Sequence, residues 1–424
     1  MKSATPKHLH PLLGRRLADW AIEAVRPLEP DHLVVVASPQ AADAFDGLTV
    51  AVQREPLGTG DAVRSAEPFV GDTDSVLVVS ADHPLLTPRV LRQLVEQHRE
   101  SGAAATVLSF EPPDPRAYGR IVRNAQGSLE SIVEARDATA DQLRIGEVNS
   151  SIYVFDGAKL WPVLARLEPQ NAQGELYLTD AARFLVQDGE NVGVMKAPYP
   201  ADIEGVNTRE ELADAGAALR DRINREHMLA GVTIVDPATT WIEADVELEP
   251  DSTIHPFTVL RGRTRVASGA EVGPHVVAVD AEIGESAKVG PFCYLRPGTR
   301  LHAGAKAGTF VEIKNSEIGE RTKIPHMSYI GDAEIGADTN IGAGTITANY
   351  PHEAGRPKQR TRIGRNVRTG IHNGLEAPVE IGDEAWIAGG SYITDDVPPE
   401  SLAGFPPRQV TKEGYLRRKR DDNH

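Results

Sequence analysis

The sequence predicts an α/β domain with a parallel sheet, followed by a parallel β-helix. Short β-branched runs alternate with helical patterns in the first half, whereas a six-residue repeat of aliphatic residues occupies the second half. One helical pattern, at 207–228, separates the two, with Asn207 or Thr208 available as its cap. We therefore expect domains at 1–206 and 229–424, joined by a linker helix at 207–228.

Apolar runs in the first half predict the strands of the sheet, and apolar residues at helical spacing predict the helices that cover it. Continuous apolar strands that alternate with helices are typical of a parallel sheet buried on both faces. We expect strands at 32–38, 49–53, 75–80, 104–110 and 151–155, and helices at 88–100, 160–167 and 178–187.

The second half repeats an aliphatic residue followed by a small residue. Ile318, Ile324 and Ile330 follow one another at intervals of six, and Ile381 and Ile387 do the same. A hexapeptide period is a signature of the β-helix, in which each unit forms one flat side and one corner. A glycine-rich β-sandwich with accidental spacing is the alternative. Coils of this kind commonly pack side by side, so we expect an oligomer.

Composition excludes several classes of protein. The 424 residues contain 45 Lys and Arg against 61 Asp and Glu, a net charge of −16, which disfavours nucleic acid and anionic membranes as partners. Cys293 is the single cysteine, so neither a disulfide framework nor a multi-cysteine zinc site is possible, and we expect it to fill an inward slot. No apolar run approaches the roughly 18 residues that span a bilayer. The start of the chain lacks the apolar core of a signal peptide, so we expect a cytoplasmic protein.

Three features of the first half suit a nucleotide. Lys7 follows a proline near the start of the domain, Gly58–Gly60 form a glycine-rich loop after a strand, and Asp82 ends a buried strand. Taken alone, the three features are equally explained as a solvated lysine, an ordinary turn and a residue that caps a helix or turn. The short motifs at 118–121, 132–139, 147–149 and 204–208 are unremarkable individually.

Four polar residues stand out within the aliphatic coil: Arg296, Lys314, His326 and Tyr329. Separately, the cations would be solvated and the histidine structural. Together they provide a phosphate-binding pair and a general base.

The order of the motifs is more informative than any one of them. PKxLH, LGTG, a strand-end Asp, YGRI, IVExxDAT, EVN and EGVN resemble sugar-1-phosphate nucleotidyltransferases. With the hexapeptide coil, nearly the whole chain resembles the bacterial bifunctional N-acetylglucosamine-1-phosphate uridylyltransferase and glucosamine-1-phosphate acetyltransferase family. The resemblance implies a Rossmann-like α/β nucleotidyltransferase domain before a left-handed parallel β-helix. It also implies a homotrimer that binds neither nucleic acid nor membrane.

For the first domain, the resemblance implies transfer of a uridylyl group from UTP to N-acetylglucosamine-1-phosphate with Mg²⁺. The sugar phosphate would attack the α-phosphate in line, a reaction that needs alignment and charge neutralisation. The implied ligands are Lys7 for the UTP phosphates, Gln53, Gly58 and Thr59 for uracil, Asp82 and Asn207 for Mg²⁺ and substrate, and Gly119, Glu134 and Asn149 for the sugar.

For the second domain, the resemblance implies acetyl transfer from acetyl-CoA to glucosamine-1-phosphate. The implied roles are His326 as general base, Arg296 and Lys314 for phosphate, Tyr329 and Asn340 for sugar, and Ala343, Asn349, Tyr350, Ile371 and Gly389 for acetyl-CoA. Lys358 would match a lysine that reaches a neighbouring subunit.

Three coenzyme positions depart from the pattern of the family. Ile371 and Gly389 stand where Ser and Ala are usual, and Pro406 stands where an Arg is expected, with Arg408 two residues on. We therefore expect the acetyl-CoA site to be altered.

A larger departure lies at the start of the chain. The family opens with a strand and a loop of the form L-A-A-G-x-G-T-R-M, and this sequence begins at the matching Met. Either the start was assigned too far downstream, which we favour because the other nucleotide motifs are intact, or the domain is a relic.

Three hypotheses for function follow. The first is a bifunctional enzyme that makes UDP-N-acetylglucosamine for cell-wall and lipopolysaccharide precursors. The second is a monofunctional acetyltransferase with an inactive first domain, and the third is a non-enzymatic nucleotide-sugar-binding trimer. His326 and its polar companions argue against the third.

Overall fold

The computed structural model describes residues 1–115, 117–350, 357–405, 409–415 and 418. They form two compact units, Met1–Ala218 and Leu219–His424. The division falls within one helix, Arg209–Leu229, close to the predicted linker at 207–228. Thr208 caps this helix, since its hydroxyl accepts from the Glu211 amide while Glu211 accepts from the Thr208 amide, each at 3.1 Å. No described helix is both long and apolar enough to cross a membrane.

The first unit contains ten strands and six helices, together with short 3₁₀ turns, within the described residues. The strands are β1 (Pro11–Leu12), β2 (Arg15–Arg16), β3 (Val34–Ala37), β4 (Thr49–Val52), β5 (Ser75–Val78), β6 (Ala105–Phe110), β7 (Arg120–Arg123), β8 (Leu129–Val133), β9 (Val148–Asp156) and β10 (Val192–Lys196). The helices are α1 (Leu17–Val25), α2 (Thr59–Arg64), α3 (Glu67–Val70), α4 (Pro88–Ser101), α5 (Gly157–Leu164) and α6 (Leu178–Gln187), before α7 (Arg209–Leu229).

The main sheet is mixed, and the prediction of a purely parallel sheet was wrong. Its order is β10-β6-β9-β7-β8, with β5 also paired to β9. β10 runs parallel to β6, but β9 is antiparallel to β5, β6 and β7. β9 follows the β7–β8 hairpin without a crossover helix, and a parallel neighbour requires such a crossover.

The sheet of the first unit is divided. β3 pairs in parallel with β4 in a separate two-stranded sheet. Among the described strands β3 has no other partner, and β5 pairs with β9 alone. The residues of β5 are all half-buried, whereas those of β6 are all fully buried. On one side, β3 and β5 therefore each lack a hydrogen-bonded neighbouring strand among the described residues, and we call this side the open ladder edge.

The core of the first unit lies on both faces of the main sheet. Leu160 and Leu164 of α5 pack with Ala181 and Leu185 of α6 in one cluster. Leu91 of α4 lies in a second cluster with Leu108, Phe110 and Ile152 of the sheet. A third, smaller cluster joins α1 to β3 and β4.

The second unit winds into three parallel sheets, which confirms the predicted β-helix. The first sheet contains Thr233–Ile234, Thr253–Ile254, Glu271–Val272, Lys288–Val289, Lys306–Thr309 and Lys323–His326, continued by Arg368–Thr369, Trp386–Ile387 and Leu402–Ala403. The second contains Trp241–Ile242, Val259–Arg261, Val277–Val279, Tyr294–Leu295, Glu312–Lys314, Tyr329–Gly331, Ile346–Ala348, Gly374–Glu376 and Tyr392–Ile393. The third contains Glu247–Leu248, Arg265–Val266, Glu282–Ile283, Arg300–Leu301, Glu317–Ile318, Ala333–Ile335, Thr361–Ile363 and Val379–Ile381.

Within each coil, buried aliphatic residues alternate with outward residues. Leu295, Ile313 and Ile330 occupy one register of the second sheet and have no exposed surface, so they stack along the axis of the coil. Cys293 also points inward as expected, and burial raises the pKa of its thiol to about 11. A thiol this far from ionisation is not a nucleophile.

Candidate functional sites

The first unit brings together three residues from distant parts of the sequence. The Lys7 ammonium donates to the Asp82 carboxylate at 2.5 Å and to the Asn207 side-chain oxygen at 2.9 Å. Lys7 lies in a 3₁₀ turn, Asp82 follows β5, and Asn207 precedes α7. The structure therefore assembles the predicted phosphate ligand and both predicted metal ligands at one end of the sheet.

Asp82 is held in its charged form. Burial by itself would raise the pKa of its carboxyl, but the charges of His83 and Lys7, with hydrogen bonds from Lys7 and Ser80, lower it to about 2. The Ser80 hydroxyl donates to the carboxylate at 2.6 Å. Asp82 is thus an anion at any physiological pH.

The donor set at this site fits a hard divalent cation. Mg²⁺ prefers carboxylate and amide oxygens, and one oxygen of each kind converges here on the Lys7 ammonium. A half-buried, ionised carboxylate that already faces a positive charge is electrostatically suited to a metal ion. Asp82 and Asn207 are the residues that would hold it.

A second polar cluster surrounds Gly119 in the same unit. A side chain at Gly119 would lie 3.4 Å from both carboxylate oxygens of Glu134, so glycine leaves that carboxylate accessible. The Gly119 carbonyl accepts from the Asn149 amide at 2.8 Å. All three predicted sugar ligands therefore adjoin one another.

Two residues that sequence reasoning missed support this cluster. The Tyr153 hydroxyl accepts from the Asn149 side-chain amide at 2.6 Å, and the Thr179 hydroxyl donates to Glu134 at 3.3 Å. Burial raises the pKa of Glu134, only partly offset by the bond from Thr179. Both supporting residues lie within apolar patterns, so the sequence offered no signal for them.

The predicted uracil loop packs against the segment that precedes α6. A side chain at Gly58, which has φ +116°, would meet the Leu176 carbonyl at 2.6 Å. The Thr59 hydroxyl accepts from the Leu178 amide at 3.0 Å, and the Gln53 amide donates to the Gly58 carbonyl at 3.0 Å. These three residues are adjacent as expected, but the glycine is required by this packing whether or not a nucleotide binds.

In the second unit, the predicted phosphate ligands lie side by side on the second sheet. Arg296 directly follows the strand next to Glu312–Lys314, and its guanidinium pairs with the Glu312 carboxylate at 2.9 Å. The ammonium of Lys358, from the same chain, lowers the pKa of Lys314. Three cations therefore gather with few carboxylates, as an anion site requires.

Next to these cations, two polar side chains cover a glycine of the coil. Gly331 pairs with Lys314, and a side chain at Gly331 would meet the Tyr329 hydroxyl at 2.4 Å and the Asn349 side-chain nitrogen at 2.7 Å. Tyr329 and Asn349 thus cover a position where the coil lacks a side chain, and both face the same small volume as Lys314.

His326 is exposed at the corner between the first and second sheets. Among the described residues, no hydrogen bond or ion pair joins its side chain to Arg296 or Lys314. It lies before the start of the strand Tyr329–Gly331, whereas Lys314 lies at the end of the adjoining strand.

The predicted coenzyme residues divide between two places. Three of them occupy the corner position of His326 in the coils that follow it, namely Ala343, Ile371 and Gly389. There the carbonyls of Ala343 and Ile371 accept hydrogen bonds from backbone amides of the next coil at 2.7 and 2.8 Å. Asn349 and Tyr350 follow the other end of a second-sheet strand. Pro406 and Arg408 lie outside the described residues.

Asn340 lies apart from the other predicted sugar ligand. The backbone of Asn340 forms parallel β-bridges with Lys323 and Arg368 of the first sheet, whereas Tyr329 belongs to the second sheet. Within one chain, the two residues are therefore on different faces of the coil.

Comparison with known proteins gives a consistent result over the whole length. Residues 1–177 match the family of MobA-like NTP transferase domains. The chain is 46% identical over 446 residues to the bifunctional protein GlmU of Streptomyces avermitilis, covering 99% of this chain and 92% of that protein. The GlmU proteins of Streptomyces coelicolor and Thermoanaerobacter pseudethanolicus are 46% and 40% identical, covering 99% and 98% of this chain and 92% and 94% of theirs.

Proposed function

Because this chain belongs to the family of bifunctional GlmU proteins, it is a uridylyltransferase and acetyltransferase, and we propose which residues carry each reaction. The membership confirms the bifunctional hypothesis over its two alternatives. UTP, acetyl-CoA and sugar phosphates are the substrates. The observation that carries the assignment is that each unit contains its own cationic site, Lys7 in one and Arg296 with Lys314 in the other.

For acetyl transfer, His326 accepts a proton from the ammonium group of glucosamine-1-phosphate. The freed amine attacks the thioester carbonyl of acetyl-CoA, the C–S bond breaks, and the thiolate takes up a proton as coenzyme A leaves. Arg296 and Lys314 hold the phosphate, and Tyr329 orients the sugar ring. The exposure of His326 leaves its imidazole open to a substrate.

For uridylyl transfer, the phosphate oxygen of N-acetylglucosamine-1-phosphate attacks the α-phosphate of UTP, and pyrophosphate leaves. Lys7 neutralises charge on the phosphates, and Glu134 with Asn149 orients the sugar. Asp82 and Asn207 hold Mg²⁺, which supplies further charge neutralisation when bound.

Since UTP and acetyl-CoA are cytoplasmic metabolites, we assign the protein to the cytoplasm.

We also propose a homotrimer in which the second sheet faces the neighbouring copy. Apolar and aromatic residues make up most of its outward row, which runs Trp241, Val259, Val277, Tyr294, Glu312, Tyr329, Ile346, Gly374 and Tyr392. The outward row of the third sheet is wholly charged, namely Glu247, Arg265, Glu282, Arg300, Glu317, Glu334, Arg362 and Glu380.

The corner next to this apolar row points to the same face. Phe257, His275 and Phe292 stack with ring centroids 4.7 Å apart at each step, and Phe310 follows at 5.3 Å. The three phenylalanines are each about half exposed. An exposed apolar strip of this length is typical of an interface. A second copy would also allow Asn340 of one chain to approach Tyr329 of another.

The test of the proposed division of labour is His326→Ala. We expect the release of free thiol from acetyl-CoA and glucosamine-1-phosphate to fall by roughly 10²- to 10⁴-fold, the usual contribution of a general base. Pyrophosphate release from UTP and N-acetylglucosamine-1-phosphate should not change.

The matched control is His302→Ala, because His302 is an exposed histidine on the third sheet that pairs with Glu317. It should leave both activities intact. Equal loss of both activities in His326→Ala would show that the histidine serves the fold and not the acetyl transfer.

A further inference from the structure

Asp332 is a buried carboxylate between two parts of the acetyltransferase site. It is 6% exposed and lies at a corner of the coil with φ +50°. The Asn315 side-chain amide donates to one carboxylate oxygen at 2.5 Å, and the Asn349 side-chain amide donates to the other. The Lys314 ammonium lies 4.0 Å from that second oxygen.

The environment of Asp332 differs from that of a similar residue at the same type of corner. Asp280, three coils earlier, has φ +46° but is exposed, and its carboxylate accepts from the backbone amide of Arg263 at 2.9 Å. A corner therefore needs a residue that tolerates positive φ, which Asp and Asn both do. It does not need a buried charge, which is costly unless partners satisfy it.

We propose that Asp332 is a positioning residue that links the acceptor and donor halves of the acetyltransferase site. Through one carboxylate it orients Lys314, assigned to the sugar phosphate, and Asn349, assigned to acetyl-CoA. This inference rests on the proposed acetyltransferase roles of those two residues.

Removing the charge should disturb both halves together. The other charged groups that face Lys314 are Lys358 and Arg296, both cations, so without Asp332 the ammonium loses its neighbouring anion. An asparagine at 332 offers one acceptor and one donor group, so Asn315 or Asn349 would lose its partner.

The experiment is Asp332→Asn, which conserves shape and tolerates the positive φ. We expect KM to rise about tenfold for both glucosamine-1-phosphate and acetyl-CoA, the effect of losing hydrogen bonds to a charged group, with a smaller change in kcat. The matched control, Asp280→Asn, should leave both KM values unchanged.

Other outcomes would overturn the proposal. A lower Tm with both KM values unchanged would make Asp332 structural, and a rise in only one KM would show that it does not link the two halves. If Asp332→Asn does not fold, Asn315→Gly provides the second test, because glycine accepts the φ of +45° and the change removes one support of the carboxylate. It should raise both KM values by a smaller factor, and unchanged values would refute the link.

These results are distinguishable from a failure of the proposed function itself. If His326→Ala retains acetyl transfer, the assignment of the site is wrong whatever Asp332→Asn does. If His326→Ala is inactive while Asp332→Asn and Asn315→Gly behave as wild type, only the positioning role is refuted.

Discussion

The two units differ in what holds their functional residues in place. In the β-helix, Lys314 and Gly331 are neighbours because successive strands pair in register. In the α/β unit, Lys7 reaches Asn207, 200 residues away, through a side-chain hydrogen bond, and the Val206 amide donates to the Asp82 carbonyl at 2.9 Å. These contacts lie beside a sheet divided between β3 and β5. The repeat therefore positions its site through continuous strand pairing, whereas the first unit depends on a small number of isolated contacts, charged ones among them.

The largest expected effect tests the charged contacts of the first unit. In Asp82→Asn, Lys7 loses its anionic partner and the predicted metal site loses its carboxylate. We expect uridylyl transfer, measured as pyrophosphate release, to fall at least roughly hundredfold, the scale for losing one preorganised electrostatic group. Acetyl transfer should be unchanged.

The exposed Asp72 supplies the matched control, Asp72→Asn, which should be neutral for both activities. Uridylyl transfer that survives Asp82→Asn would mean that the contact between Lys7 and Asp82 has no part in that reaction.

A second prediction compares the packing of the two units by the same substitution. Leu295 has no exposed surface in the β-helix, whereas Leu77 of β5 is half-buried beside the open ladder edge. Leu295→Ala should cost about 2–5 kcal/mol of unfolding free energy, as in well-packed cores. Leu77→Ala should cost less than half as much, because fewer contacts are lost.

Amide hydrogen exchange, followed separately in each unit, measures the two costs without requiring a single unfolding transition. Equal costs would mean that β5 is as well packed as the β-helix, and the comparison between divided and continuous sheets would fail.

The sequence predicted the elements better than their arrangement. α6 was predicted at 178–187 and occupies Leu178–Gln187, because its apolar spacing is regular. The direction of β9 was predicted wrongly, since an apolar run does not show which way its neighbours point.

The same limit applies to the sites. Lys7 stood out because it follows a proline near the start of the domain, and Asp82 because it ends an apolar strand. Asp332 did not, because an aspartate after glycine looks like an ordinary corner residue until the coil brings Asn315 and Asn349 to it. Residues that support a site therefore cannot be recognised from the sequence, whereas residues that form the site belong to recognisable sequence motifs.

The smallest expected effect lies at a bulge that serves the sugar site. β9 shifts register against β6 between Val107 and Ser109, and opposite this shift Ser151 adopts φ +61°. The Ser151 amide donates to the Asn149 side-chain oxygen at 3.0 Å, so the bulge helps to aim Asn149. A non-glycine residue is strained at this φ, and the Ser151 side chain is exposed.

Ser151→Gly should therefore raise the unfolding free energy of the first unit by up to about 1 kcal/mol, because strain is relieved without loss of a buried contact. Urea denaturation measures the change. Ser131→Gly in β8 is the matched control with the opposite sign, since glycine in an ordinary strand position costs about 0.5–1 kcal/mol. If both variants are destabilised alike, the bulge stores no strain. If Ser151→Gly is more stable and KM for N-acetylglucosamine-1-phosphate is unchanged, Asn149 is aimed by the register of the bulge and not by the side chain at 151.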